Sequence, residues 1–258
     1  MMRFPKSSAL GHVAVALACA LACSAVQARN TTDSERTIVE SRAFLSAHPD
    51  LLFRIRGFEL LNQKAPEKAR DAFRKAALYG DKPSQAALAG MYWDGTGVAR
   101  DRPLAYAWMD LAAERAYPDF IAMREKFWAS MDESERARAL QQGAAVYARY
   151  GDEVAKPRLA RELRRERRKV VGSRTGYAAN AKVRLPNPVT GGADSSVEQP
   201  YIVIDGSQFY ADKFWQPEVY HAWLDEQWKA PREGRVEVGP IKPVKSRIDP
   251  KGKKPAKP

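Results

Sequence analysis

Between Arg36 and Gly151 apolar residues recur at three- and four-residue spacing and strand-like alternation is absent, which predicts an almost wholly α-helical stretch. Its clearest unit runs from Asp81 to Tyr117. Asp81 or Ser84 supplies a helix N-cap with Pro83 in the first turn. The helix carries Ala86, Ala87, Gly90 and Met91, a small-residue face suited to close approach by a neighbour. Asp94-Gly95-Thr96-Gly97 ends it, because two glycines within three residues permit positive φ and a tight reversal. Val98 follows as an apolar plug. Asp101 caps a second helix with Pro103 in its first turn, and Ala105, Trp108, Met109, Ala112 and Ala113 fall at i, i+3, i+4, i+7 and i+8 on one face. Trp108, on that stripe, is expected in the core.

The run Ala87-Leu88-Ala89-Gly90-Met91-Tyr92-Trp93-Asp94-Gly95-Thr96-Gly97-Val98, followed by Asp101, Ala105, Trp108 and Ala112-Ala113, resembles a Sel1-like repeat, a relative of the tetratricopeptide repeat. The resemblance implies antiparallel helix pairs stacked into a short solenoid that contacts other proteins. It implies structural roles for Gly90, Tyr92, Gly95, Gly97, Val98, Asp101, Ala105, Trp108, Ala112 and Ala113. A weaker copy precedes it: Ala69 aligns with Ala105 and Ala76-Ala77 with Ala112-Ala113 at an offset of 36, while Gly57 aligns with Gly90 at an offset of 33. That copy lacks the Gly-x-Gly turn and fits a plainer tetratricopeptide-like hairpin equally well. A third unit follows: Asp119 to Ser130 presents Phe120, Met123 and Phe127 on one face, and Asp132 with Glu135 forms a capping-box pattern ahead of a helix to Tyr150. About three stacked pairs are the usual minimum for such arrays.

The expected fold class is mainly α: a short solenoid over 36–151, a basic helix or linker over 152–176, and a small aromatic-rich α+β module over 177–240. In that module Tyr201–Ile204 reads as a strand, Asp205-Gly206 as a turn, Pro217 starts a helix, and Val236–Val238 is a second short strand. Residues 177–192 read as a loop, and Pro157 as the break between array and basic segment. The Lys/Pro-rich stretch 241–258 reads as a disordered basic tail whose deletion should leave the fold intact.

Residues 1–28 follow the pattern of a secretory leader: Arg3 and Lys6, an apolar run from Val13 to Cys23, then Val26-Gln27-Ala28. The expectation is an exported protein, periplasmic or secreted, that meets the membrane only transiently through the leader. A lipoprotein carrying lipid on Cys19 or Cys23 and an uncleaved N-terminal anchor are the alternatives. Cys19 and Cys23 leave with the leader, so the remaining chain has no cysteine for a disulfide framework, a thiol nucleophile or a Cys/His zinc site.

The formal net charge is +12, unevenly placed: Gly151–Thr175 holds nine Lys/Arg against four Asp/Glu, and Ile241–Pro258 seven against one. The rest of the mature chain is close to neutral, so the high pI is not expected to describe a basic face on a folded domain.

Neither a Gly-x-Ser-x-Gly elbow, a phosphate-binding Gly-rich loop nor His-Glu-x-x-His occurs. The expectation is therefore no catalytic residues, no cofactor and no metal, and an adaptor that binds a protein or peptide partner in the cell envelope. A different class of function is an envelope-binding module. There Arg161, Arg164, Arg165 and Arg168 face an anionic lipid, glycan or polymer, and Tyr210, Trp215, His221 and Trp223 offer a stacking platform. Core packing is the competing reading of those aromatics, and helix-boundary chemistry that of His48. A carboxylate-based hydrolase ranks last, and export argues against nucleic acid.

Overall fold

The computed structural model describes residues 33–171, 182–186 and 201–229. Helices α1 (Asp33–Glu40) and α2 (Arg42–Ala47) lead into α3 (Pro49–Asn62) and α4 (Pro66–Ala77), which form a hairpin. A second hairpin, α5 (Lys82–Asp94) and α6 (Arg102–Ala112), stacks on it, and a 3-10 turn at Ala113–Arg115 leads to α7 (Pro118–Ser130) and α8 (Glu133–Tyr150). Helix α9 (Asp152–Val171) crosses back. Strands β1 (Lys182–Pro186) and β2 (Tyr201–Asp205) pair antiparallel with Val183 opposite Ile204 and Leu185 opposite Ile202. Short helices α10 (Gly206–Phe209) and α11 (Asp212–Trp215) precede α12 (Pro217–Lys229). The architecture is mainly α, with a small α+β module towards the C-terminus.

Local chemistry sets the helix starts. Proline stands in the first turn of α3, α4, α5, α6 and α7, where its missing N–H costs nothing. Asp81 caps α5 by accepting from Ser84 N at 3.0 Å, and Asp101 caps α6 by accepting from Leu104 N at 3.1 Å. Asp132 and Glu135 close a full capping box at α8. Gly95 ends α5 in the left-handed region at φ +76°. Gly97 has φ +68°, and a Cβ there would lie 2.6 Å from Pro66 Cβ, so the repeat turn presses on the start of α4, the second helix of the preceding hairpin.

The small-residue face of α5 is placed differently from expectation. Leu88, Ala89, Met91 and Tyr92 are buried, whereas Ala86, Ala87 and Gly90 are half-buried, and the space a Gly90 Cβ would occupy is open. Helix α5 packs against both α4 and α6, so its buried stripe is broader than one neighbour requires. Close approach belongs instead to Gly57, where a Cβ would meet the Phe73 ring at 2.3 Å.

Two hydrophobic cores result. The first, from α3 to α8, is built on Ala69, Ala77, Leu88, Ala89, Ala105, Trp108, Leu111 and Ala112. The second gathers Ile38, Phe44, Leu51, Leu159, Leu163, Leu185, Phe209, Phe214, Trp215 and Tyr220. Three expectations change here. The first two helices pack with the C-terminal module, because Ile38, Phe44 and Ala47 have their apolar neighbours there. The segment from 152 is a 20-residue helix with Pro157 inside it, and Ala155, Leu159 and Leu163 form a fully buried i, i+4, i+8 stripe under its charges. Residues 182–186, within the expected loop, form β1, whose Leu185 is buried. The expected leader, the Val236–Val238 strand and the basic tail lie outside the described residues.

Candidate functional site

Two polar assemblies stand out. One is buried where the two cores meet. Lys82, 1% exposed, extends its Nζ to Glu114 at 2.5 Å, Asp152 at 3.1 Å and Leu111 O at 3.1 Å. Arg115 forks onto Asp152 at 2.7 and 2.9 Å and donates to Gly80 O at 3.1 Å. Its Nη1 lies 3.6 Å from Asp225 of α12, which accepts from Tyr117 Oη. Arg54 pairs with Asp81 at 3.1 Å, and Tyr220 Oη donates to Asp50 at 2.7 Å.

Burial shifts these groups, and the partners decide the outcome. It pushes Asp152 up, but hydrogen bonds and charge from Arg115, with Lys82, outweigh it and hold the carboxyl well below the usual range. Asp50 rises to about 6 through burial and the nearby Asp81. Burial depresses Lys82. His221 falls to about 4 through burial and then the charges of Arg115 and Lys156, and neither ring nitrogen has a hydrogen-bond partner. Asp50 and His221 line a small, partly open cavity with space for about one water molecule. The cluster ties α5, the Ala113–Arg115 turn, α9 and α12 together as a clasp between the cores. Among the described residues no three His, Asp or Glu groups converge to hold a metal ion.

The second assembly is open. A groove of about 850 Å³ runs along the repeat turn, between α4, the start of α6 and α8. Its lining includes Arg70, Arg74, Arg100, Arg102 and Arg138, with Asp101 and Glu135 as the only acids in it. Arg74 donates to Tyr92 Oη at 2.9 Å and Arg100 to Trp93 O at 3.0 Å. Arg102 is fixed under the groove: it bonds both Glu135 oxygens at 3.0 and 3.1 Å, and its guanidinium lies 4.6 Å from the Trp93 ring centre. The expectation of no basic face on a folded domain is corrected here. Charge summed along the chain hides arginines from three separate stretches that the fold brings together.

The other anticipated residues separate by burial. Ala105, Ala112 and Ala113 are buried, Trp108 is 2% exposed, Tyr92 is buried beneath the groove, and Val98 is half-buried in its lining. Arg161, Arg164, Arg165 and Arg168 are exposed along α9, where Arg165 pairs with Glu162 at 2.5 Å and Glu166 at 3.1 Å. Tyr210, Trp215 and His221 are buried and Trp223 is half-buried. They form no open platform, because a small core without disulfides draws on large rings for its buried area. His48 does more than bound a helix: it is wholly buried, stacked on Phe44 at 3.7 Å, with its nitrogens 2.8 Å from Phe44 O and Phe214 O. Phe44 is one helical turn away, but Phe214 lies 166 residues along the chain, too far for sequence spacing to reveal it.

The fold and groove thus define a mainly α protein of stacked helical hairpins with an open, arginine-lined trough. Comparison with curated proteins finds similarity to the alginate biosynthesis protein AlgK of Azotobacter vinelandii, 35% identical over 97 residues, which is 37% of this chain and 21% of that protein. The chain therefore spans about a fifth of the curated relative it matches. No family model matches, and neither does any solved structure. Among the described residues no helix is long and apolar enough to cross a membrane.

Proposed function

We propose that the chain is a Sel1-like repeat protein acting as a non-catalytic adaptor of the cell envelope, binding a protein or peptide through its helical array. The observation that carries this reading is the α5–α6 hairpin. Left-handed Gly95 and Gly97, the Asp101 cap and buried Trp108, Ala105 and Ala112 stand where the repeat pattern requires them. The similarity to an alginate biosynthesis protein supports a part in polysaccharide biosynthesis, and the leader pattern of the first 28 residues supports export. The open, arginine-lined groove supports a binding role.

The test is site-specific photo-crosslinking in cells. A crosslinker is placed at exposed positions of the array, such as Arg74 and Leu140, and at Val203 and Val219 outside it. Adducts to a discrete envelope protein from the array positions, and not from the others, are the expected result. Adducts from Val203 and Val219 alone, or from no position, would reject the adaptor reading.

A further inference from the structure

The groove along the repeat turn differs from the rest of the array surface in what it leaves available. Both of its acids are engaged within the chain. Asp101 caps α6 through Leu104 N, and Glu135 binds Arg102 and accepts from Asp132 N at 3.1 Å. The arginines are less fully engaged. A guanidinium carries five N–H donors in a planar fork. Among the described residues, Arg74 uses one on Tyr92 Oη, Arg100 one on a carbonyl, and Arg70 binds its neighbour Asp71 at 2.7 and 2.8 Å. Arg74, Arg100 and Arg138 are exposed. The trough therefore presents a concave field of positive charge with planar donors, which is how carboxylates are recognised.

We infer that this groove, formed by Arg70, Arg74, Arg100 and Arg138 around the Gly95–Val98 turn, is a docking site for an acidic, Asp/Glu-rich peptide segment of a partner protein. The inference deepens the adaptor reading and rests on it. Three observations choose the occupant. The volume, about 850 Å³, suits a few residues of extended chain. The one aromatic ring in the lining, Tyr92, is 8% exposed, so an acidic sugar or an unstacked base has no face to lie on. The chain's own C-terminal stretch, Ile241–Pro258, has seven Lys/Arg against one Asp, the same sign of charge as the groove, so it is not the complementary occupant. Arg102 is the positioning residue. Held by Glu135 and Trp93, it keeps the start of α6 and α8 together and so sets the width of the trough.

The test uses the full mature chain, a fluorescent deca-glutamate peptide and an oligouronate of similar charge, with binding read by anisotropy at low and at physiological salt. Peptide binding at low salt that weakens as salt rises is expected. Arg74→Glu with Arg100→Glu should weaken it at least tenfold, and Arg164→Glu with Arg165→Glu on α9 should leave it within twofold. Thermal melts establish that both double variants stay folded. Arg74→Lys with Arg100→Lys keeps the charge but loses the fork, and should recover only part of the affinity. Three outcomes overturn the proposal: no peptide binding at low salt, an equal loss from the α9 variants, or tighter binding of the oligouronate that the groove variants abolish. The crosslinking experiment separates the two levels. A partner captured from array positions outside the groove, together with a silent groove, removes this inference and leaves the adaptor reading intact.

Discussion

The array core interleaves alanines at 0% exposure, Ala69, Ala77, Ala89, Ala105 and Ala112, with larger side chains such as Phe73, Trp108 and Leu111, on helices that are near neighbours in the chain. The second core is closed by Phe44, Phe214, Trp215 and Tyr220 together with His48, whose contact with Phe214 O spans 166 residues. Helices joined by short turns meet at little loop-closure cost, so alanines and close backbones can fill part of that core. Segments at opposite ends of the chain meet at a higher entropic cost, which large buried rings offset at about 25 cal/mol per Å² of apolar surface. The clasp of Lys82, Arg115, Asp152 and Asp225 lies between the two.

The largest expected effect comes from breaking the clasp. Lys82→Met removes the cation shared by Glu114 and Asp152 and should cost about 3–5 kcal/mol in urea unfolding. A cost below about 1 kcal/mol would show that Arg115 alone holds the junction.

Acid should probe the same junction. The folded pKa of His221, about 4, lies below its ordinary value of 6.5, so the fold favours the neutral ring. Its contribution is complete above pH 6.5 and is lost as pH falls towards 4. The charges facing it are Arg115, Lys156, Asp152 and Asp225. Asp50 acts in the opposite direction: raised to about 6, it costs stability above that pH and relieves the cost on acidification. The informative quantity is therefore the pH 7-to-4 stability change of the wild type minus that of His221→Leu. The variant should lose less, by up to about 3 kcal/mol.

Gly97→Ala attacks the contact between repeats. Its positive φ and a Cβ at 2.6 Å from Pro66 should together cost about 1–3 kcal/mol in thermal melts. The smallest effect belongs to α9. Arg164→Gln with Arg168→Gln touches exposed side chains and should change stability by less than about 0.5 kcal/mol.

These regions also differ in how much of them is legible from sequence. The α5–α6 hairpin could be read almost completely, down to the Asp101 cap and the Gly95 turn, because every signal lies within a few residues of its effect. Helix α9 could not, because Ala155, Leu159 and Leu163 are interleaved with arginines whose number masks the buried stripe. Phe44 and His48 gave no sign of joining Trp215, because nothing local encodes a contact between the two ends of the described chain. The groove was missed for a related reason: Arg70, Arg100 and Arg138 belong to different helices and turns, and a near-neutral sum concealed their convergence. The Arg100-x-Arg102 pair beside the Gly-x-Gly turn was the one local hint.

The claim that the first helices belong to the aromatic core and not to the array is tested most directly by hydrogen exchange on Trp215→Ala, with Trp108→Ala as its counterpart. Each variant should cost roughly 3–5 kcal/mol. In Trp215→Ala protection should fall in 33–51, 152–171 and 201–229, while 66–112 stays close to the wild type. In Trp108→Ala the loss should centre on 82–150. Retained protection of 33–51 in Trp215→Ala would contradict the account, because it would place the first helices with the array instead of the aromatic core.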